Sequence, residues 1–206
     1  MYWMDETLKT VIKLVIFLLL LDVIGVAVFY VSAQSVDDSF QGSTDVGIVF
    51  HTENKSLLNR RMAKSVGMVL SGDINHLKTV GGMRPLQGRI GAVDMAIKAT
   101  MLGVPNSLVS ADRTSNDTVT SLKGAASSIE DMKAQSVTYI SECMHLVRVK
   151  SLKNRVDWKG IEHSYSCVET GGYHAIWLQA HYEAIAWIVS FLPETLHRRV
   201  VAKVRP

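Results

Sequence analysis

The sequence predicts an α/β fold: a mainly parallel sheet with helices on both faces, preceded by one N-terminal transmembrane helix. Three observations carry this. The eighteen-residue apolar run Leu14–Val31 holds one charge, Asp22, and is long enough to cross the hydrocarbon core of a bilayer. Beyond it, short β-branched runs alternate with segments of helical period. One of those runs, Val137–Ile140, is uncharged and passes within a few residues into a helical pattern, as a buried parallel strand feeding a crossover helix would.

The chain falls into three parts. Residues 1–33 read as a cytoplasmic N-terminus and membrane anchor, 34–44 as a polar linker, and 45–206 as one α/β domain. Lys9 and Lys13 precede the apolar run, whereas Asp37 and Asp38 follow it. The positive-inside rule therefore predicts a single-pass protein of the inner (plasma) membrane, with its N-terminus in the cytoplasm and its domain outside. A rival reading is a signal peptide cut between Ala33 and Gln34, after the small residues Ser32 and Ala33. Both readings export the domain. Asp22 is either a tolerated charge or a partner contact within the membrane.

Of 206 residues, 48% are apolar and 20% charged, which excludes wholesale disorder. A net charge of +3, with no basic run, excludes nucleic acid as the partner. Cys143 and Cys167 lack metal-ligand spacing and form no CxxC pair. Outside the cytoplasm they could form one disulfide; otherwise Cys143 fills a buried gap.

In the domain, Val46–Phe50 reads as the first strand and Ser56–Ser65 as a short basic helix with Arg60 and Arg61. Gly67–Leu70 reads as the second strand, ended by Ser71-Gly72-Asp73, a turn that either cradles an anion or only reverses the chain. Ile74–Gly88 reads as a long loop over the strand edge, with Gly81, Gly82, Arg84 and Pro85, followed by Arg89. Ile90, Val93, Ile97 and Met101 keep a helical period up to the stop at Gly103-Val104-Pro105. Ser107–Ser110 reads as a third strand. A polar run from Asp112 to Thr118 then meets a helix built on Val119, Leu122, Ala126 and Ile129, for which Asn116 or Asp117 could be the N-cap. After the central strand and its helix, Trp158–Val168 reads as the last strand. His174–Leu192 reads as a helix with Trp177, Ala180, Ala184, Ile185, Ile188 and Leu192 on its apolar side, and His197–Arg205 as a basic tail.

In a parallel sheet, ligands bind outside the carboxyl ends of the strands. The candidates there are Ser71, Gly72, Asp73, Asp112, Ser115, Asp117, Thr118, Ser141, His145 and Arg148, with Arg61 and Arg89 reaching in from the flanks. Arg148 can fork two donors onto a carboxylate or phosphate. His145, three residues before it and on the same helix face, could donate to the same anion or move a proton. No GxSxG elbow, HExxH motif, Walker loop or GxGxxG fingerprint is present.

The order of Asp45–Phe50, Ser71-Gly72-Asp73, Gly103-Val104-Pro105, Ser115 with Asp117-Thr118, and His145 with Arg148 resembles the SanA/YdcF/ElyC family, a bacterial envelope domain of unknown function. The likeness covers roughly Asp45 to Arg148, with a looser fit around Glu183. It implies a Rossmann-like domain on a membrane anchor, acting in envelope integrity, peptidoglycan assembly or the barrier to drugs. A YdcF-type member adds S-adenosylmethionine as a conceivable ligand. Two departures stand out. The segment between Arg61 and Ser71 looks short, as though the first helix were trimmed, and the loop after the Ser-Gly turn lacks the family's usual acid.

The expectation is thus an anchored envelope protein that binds a small anionic or phosphorylated ligand. The alternatives are a hydrolase or transferase on a nucleotide-like or lipid-linked phosphate, with His145 as acid/base, and a non-catalytic module that recruits envelope-assembly proteins.

Overall fold

The computed structural model describes residues 2–36, 40, 42–84 and 88–204. Asp37, Asp38, Pro85 and Arg205 lie outside the described residues. Helix α1 (Tyr2–Gln34) comes first, then β1 (Thr44–Phe50), α2 (Lys55–Leu70), β2 (Ile74–Val80), β3 (Met83–Arg84), β4 (Arg89–Ile90) and α3 (Gly91–Met101). They are followed by β5 (Val109–Ala111), α4 (Thr118–Asp131), β6 (Ser136–Glu142), α5 (Cys143–Lys153), β7 (Glu162–Val168), α6 (Tyr173–Ser190) and α7 (Glu194–Val204).

Five parallel strands form one Rossmann-like sheet in the order β5-β2-β1-β6-β7. β3 and β4 make a small antiparallel hairpin. The alternation along β1 and β6 explains the layers. Val46, Ile48, Phe50, Val137 and Tyr139 face one side, where Leu122, Ala125 and Ile129 of α4 and Leu146, Val149 and Leu152 of α5 cover them. Val49 and Ile140 face the other side, under Met62, Val66 and Val69 of α2 and Ala92, Met95 and Ala99 of α3. A strand buried on both faces reads as a continuous apolar run, which is why β1 and β6 were visible in the sequence.

Several expectations need correction. Gly67–Leu70 is the last turn of α2, not a strand; the second strand is Ile74–Val80, inside the segment expected to be loop. A four-residue apolar run has no period of its own, and here Met62, Ser65, Val66 and Val69 continue the buried stripe of a helix capped by Asn54. The first helix is therefore not trimmed. The third strand starts later than expected, after a 3-10 turn over Asn106–Leu108. The last strand begins at Glu162, and Trp158 instead packs edge-on against Tyr139. In α3 the small side buries Gly91, Ala92, Met95 and Ala99, leaving Ile97 and Met101 exposed.

Residues Glu6–Gln34 of α1 are long and apolar enough to cross a membrane, with a mean hydropathy of 2.8 over an 18-residue window. Its last third returns to the domain: Val26 and Ala33 cluster with Met144 of α5 and Ala180 of α6. Asp22 accepts a hydrogen bond from His181 Nε2 of α6 at 2.7 Å. A disulfide joins Cys143, the first residue of α5, to Cys167 near the end of β7.

Candidate functional site

Because β1, β2 and β6 run parallel, their carboxyl ends share one edge. The polar residues that follow them there surround a cavity of about 330 Å³, within the size range of small-molecule sites. Helices α2 and α4 begin at this edge; their N-caps, Asn54 and Asp117, both line the cavity.

Two buried ion pairs set its walls. Arg61, on α2, donates from Nε to Glu142 Oε1 at 2.8 Å and from Nη2 to Glu142 Oε2, while its Nη1 donates to the Phe50 carbonyl. Arg61 is 3% exposed and Glu142 is fully buried. Arg148, on α5, donates from Nε to Glu183 Oε2 of α6 at 2.6 Å and from Nη1 to Thr118 Oγ1 of α4 at 2.7 Å. Glu183 also accepts from Gln179 Nε2 at 2.9 Å. Burial alone would lower the Arg148 pKa, but the Glu183 carboxylate outweighs it and holds the guanidinium above its ordinary value.

His145 lies between these pairs. Its Nδ1 is 2.7 Å from Ser141 Oγ, its Nε2 is 3.4 Å from Thr118 Oγ1, and its ring packs edge-on to Phe50 at 4.8 Å. Ser141 is fully buried and does not line the cavity; it acts on His145 from beneath. Strand β6 passes into α5 without a loop, so His145 and Arg148 share the face that looks along the strand ends.

A third group comes from loops. Arg84 Nη2, on the β3–β4 hairpin, donates to Glu53 Oε1 at 2.8 Å, and Arg89 reaches Glu53 Oε2 at 3.3 Å. The His51 side chain is buried beside them, and desolvation lowers its pKa. Its ring occupies the space that a Cβ on Gly82 or Gly91 would need, at 2.6 and 2.3 Å from the nearest ring atoms. Those two glycines are what let the ring sit against the backbone.

The structure thus brings Thr118, Asp117, His145, Arg148 and the flanking Arg61 to one cavity, with Ser141 directly behind. Ser115 is buried outside it, bonded to Asp112 and Ser121. Asp112 is spent on Ser115 and Thr114 as well. Ser71, Gly72 and Asp73 do not line this cavity. Once the second strand moves to Ile74–Val80, this turn precedes a strand rather than ending one, so it lies at the amino edge of the sheet, where Thr44 N donates to Asp73 O at 2.9 Å. Gly72 there has φ +83°, and Ser71 Oγ donates to Asp73 Oδ2 at 2.7 Å, a turn satisfied from within.

The carboxylates that organise the cavity, Glu53, Glu142 and Glu183, were not among the sequence candidates. Their signal was a single acid closing or interrupting an apolar run, as in Val137–Glu142 and Ala180–Val189. Among the lining residues, Arg61, Arg84 and Arg148 balance Glu53, Asp117 and Glu183 in formal charge. Ligand recognition would therefore rest on the direction of individual donors rather than on net potential. S-adenosylmethionine fits these residues poorly. Of the acids on the cavity wall that could take its ribose, Glu53 and Glu183 are committed to arginines and Asp117 to capping α4, and β2 is followed by Gly81-Gly82 without an acid. Among the described residues, no group of three or more His, Cys, Asp or Glu side chains could hold a metal ion.

No protein-family model matches this chain, and no curated protein matches it.

Proposed function

We propose that this chain is a membrane-anchored protein of the cell envelope whose cavity binds a small anionic or phosphorylated ligand, serving peptidoglycan and barrier homeostasis as in the SanA/YdcF/ElyC family it resembles. The observation that carries the binding reading is the Arg148 guanidinium. Glu183 and Thr118 hold it through Nε and Nη1 at the cavity wall, which leaves Nη2 without a hydrogen-bond partner among the described residues. A pre-oriented arginine at the carboxyl edge of a parallel sheet suits a phosphate or carboxylate. In this reading α1 spans the inner membrane, the N-terminus is cytoplasmic, and the domain stands outside. The Cys143–Cys167 disulfide supports an oxidising compartment. Envelope-assembly proteins would be its partners.

A second reading, a transferase or hydrolase on a phosphorylated substrate, is favoured by one contact. Ser141 fixes His145 through Nδ1, which directs Nε2 toward Thr118 and the cavity, as an acid/base histidine requires.

The test is a thermal-shift titration of the full chain in detergent with inorganic phosphate, pyrophosphate and nucleoside diphosphates. A ligand at one hundred times its dissociation constant should stabilise the protein by about 2.7 kcal/mol. Arg148→Lys keeps the charge against Glu183 but loses the fork, and should abolish the shift while the protein still melts cooperatively. A shift that survives Arg148→Lys unchanged would remove Arg148 from the site. Turnover of a hit that is lost in His145→Gln, with binding retained, would favour the enzyme.

A further inference from the structure

Helix α6 packs against α1 and α5 and leaves an apolar strip uncovered. The side turned to the domain carries Gln179, Glu183 and Ser190, and the last two of these are buried. The opposite side carries Trp177, Leu178, Ile185 and Ile188, which with Phe191 just beyond the helix are 46–63% exposed. Of the apolar side read in the sequence, Trp177, Ile185 and Ile188 face outward, whereas Ala180 is buried against α1 and α5. A contiguous strip of this kind on a soluble domain marks a surface that something covers.

What covers it follows from α1. Asp22 lies inside the apolar run Leu14–Val31, and His181, on the same side of α6 as the strip, is bonded to it at 2.7 Å. Phe29 meets Trp187 edge-on at 6.2 Å, and Val26 and Ala33 cluster with Ala180. Any depth that α1 gives Asp22 in a bilayer, it also gives His181. α1 is itself exposed and apolar from Leu14 to Ile24, and the Asp22–His181 bond joins the strip side of α6 to that run. Beyond Pro193, α7 adds the exposed cations Arg198, Arg199 and Lys203, suited to anionic headgroups.

We infer that α6 is a second membrane-contacting helix, with its Trp177–Ile188 strip seated in the leaflet nearer the domain and the bilayer as its occupant. The inference rests on the reading of α1 as a membrane span. Gln179, Tyr182 and Glu183 of this same helix line the cavity, so α6 stands between the strip and the site.

The two native cysteines are paired, so one added cysteine on the full chain takes a nitroxide label selectively. Labels at Leu178→Cys and Ile185→Cys, in nanodiscs of mixed neutral and anionic lipid, are compared with Leu18→Cys on α1 and Met101→Cys on the far side of the sheet. The expected result is a loss of relaxation by a water-soluble nickel chelate, with relaxation by oxygen retained, at positions 178, 185 and 18 but not at 101. If position 18 is in lipid while 178 and 185 meet the chelate, the anchor stands and the inference fails. If 178 and 185 are shielded from both reagents, a protein covers the strip and the bilayer is the wrong occupant. If position 18 also meets the chelate, the span and the inference fall together.

Discussion

At the amino edge of the sheet, Asp45 Oδ2 accepts from the main-chain N–H groups of Gln135 and Ser136 at 2.7 and 3.1 Å and lies within reach of the Ser136 hydroxyl. At the carboxyl edge, Glu142 and Glu183 accept from Arg61 and Arg148, side chain to side chain, out of water. Asp45 serves the backbone: it satisfies N–H groups where β6 begins, and it is only half-buried. Glu142 and Glu183 serve other side chains that a ligand could also engage. The two edges show where a parallel sheet can afford chemistry. Polar groups spent on the main chain terminate strands, while polar groups spent on each other build a site.

The largest break in this contrast should come from Glu142→Ala. It leaves Arg61 buried without its counter-charge, and the cost should be about 3–5 kcal/mol in urea unfolding of the full chain in detergent. A loss within about 1 kcal/mol of the parent would mean that Arg61 finds water or another acceptor, and that the pair is not a wall of the site.

Asp45→Ala should cost less, about 1 kcal/mol, because water can reach the freed N–H groups. Its pH dependence sharpens the difference. The Gln135 N–H holds the Asp45 carboxyl below its ordinary 3.8. A depressed native pKa means that the unfolded chain binds the proton more readily. The contribution is therefore full above about pH 4 and is lost as pH falls through the native value. Unfolding curves of the parent and of Asp45→Asn should converge below that range; parallel curves down to pH 2 would contradict the assignment.

The smallest effect belongs to the Ser71-Gly72-Asp73 turn. Ser71→Ala and Asp73→Asn should each change stability by no more than about 0.5 kcal/mol and leave any phosphate-induced shift in melting temperature intact. Loss of that shift in either variant would return the turn to the site and overturn the edge assignment.

That misplaced turn also shows what was legible in the chain. β1 and β6 are buried on both faces, so their uncharged β-branched runs announced them, and with them the position of His145 and Arg148. β2 carries His76, Lys78 and Thr79, polar residues satisfied by Ser110, Ser128 and Ala92 O across the fold, and so it read as loop. Without β2, the apolar end of α2 reads as a strand and the Ser71 turn falls at the opposite edge. The acids of the cavity were hidden for a different reason. Glu183 lies 35 residues beyond its partner Arg148, and nothing local distinguishes such an acid from a solvated one. Only the fold brings α6 to the strand ends.

The Cys143–Cys167 bond carries a practical consequence for handling the protein. It closes a span of 24 residues immediately after Glu142, and in the chain-entropy account such a loop is worth about 3.5 kcal/mol against the unfolded state. Material produced in a reducing cytosol and never oxidised would be a weaker molecule at the edge that holds Arg61, and its melting curves would understate the disulfide-bonded form. Preparation through an oxidising compartment, with the thiol count checked before any measurement, is part of assaying this protein at all.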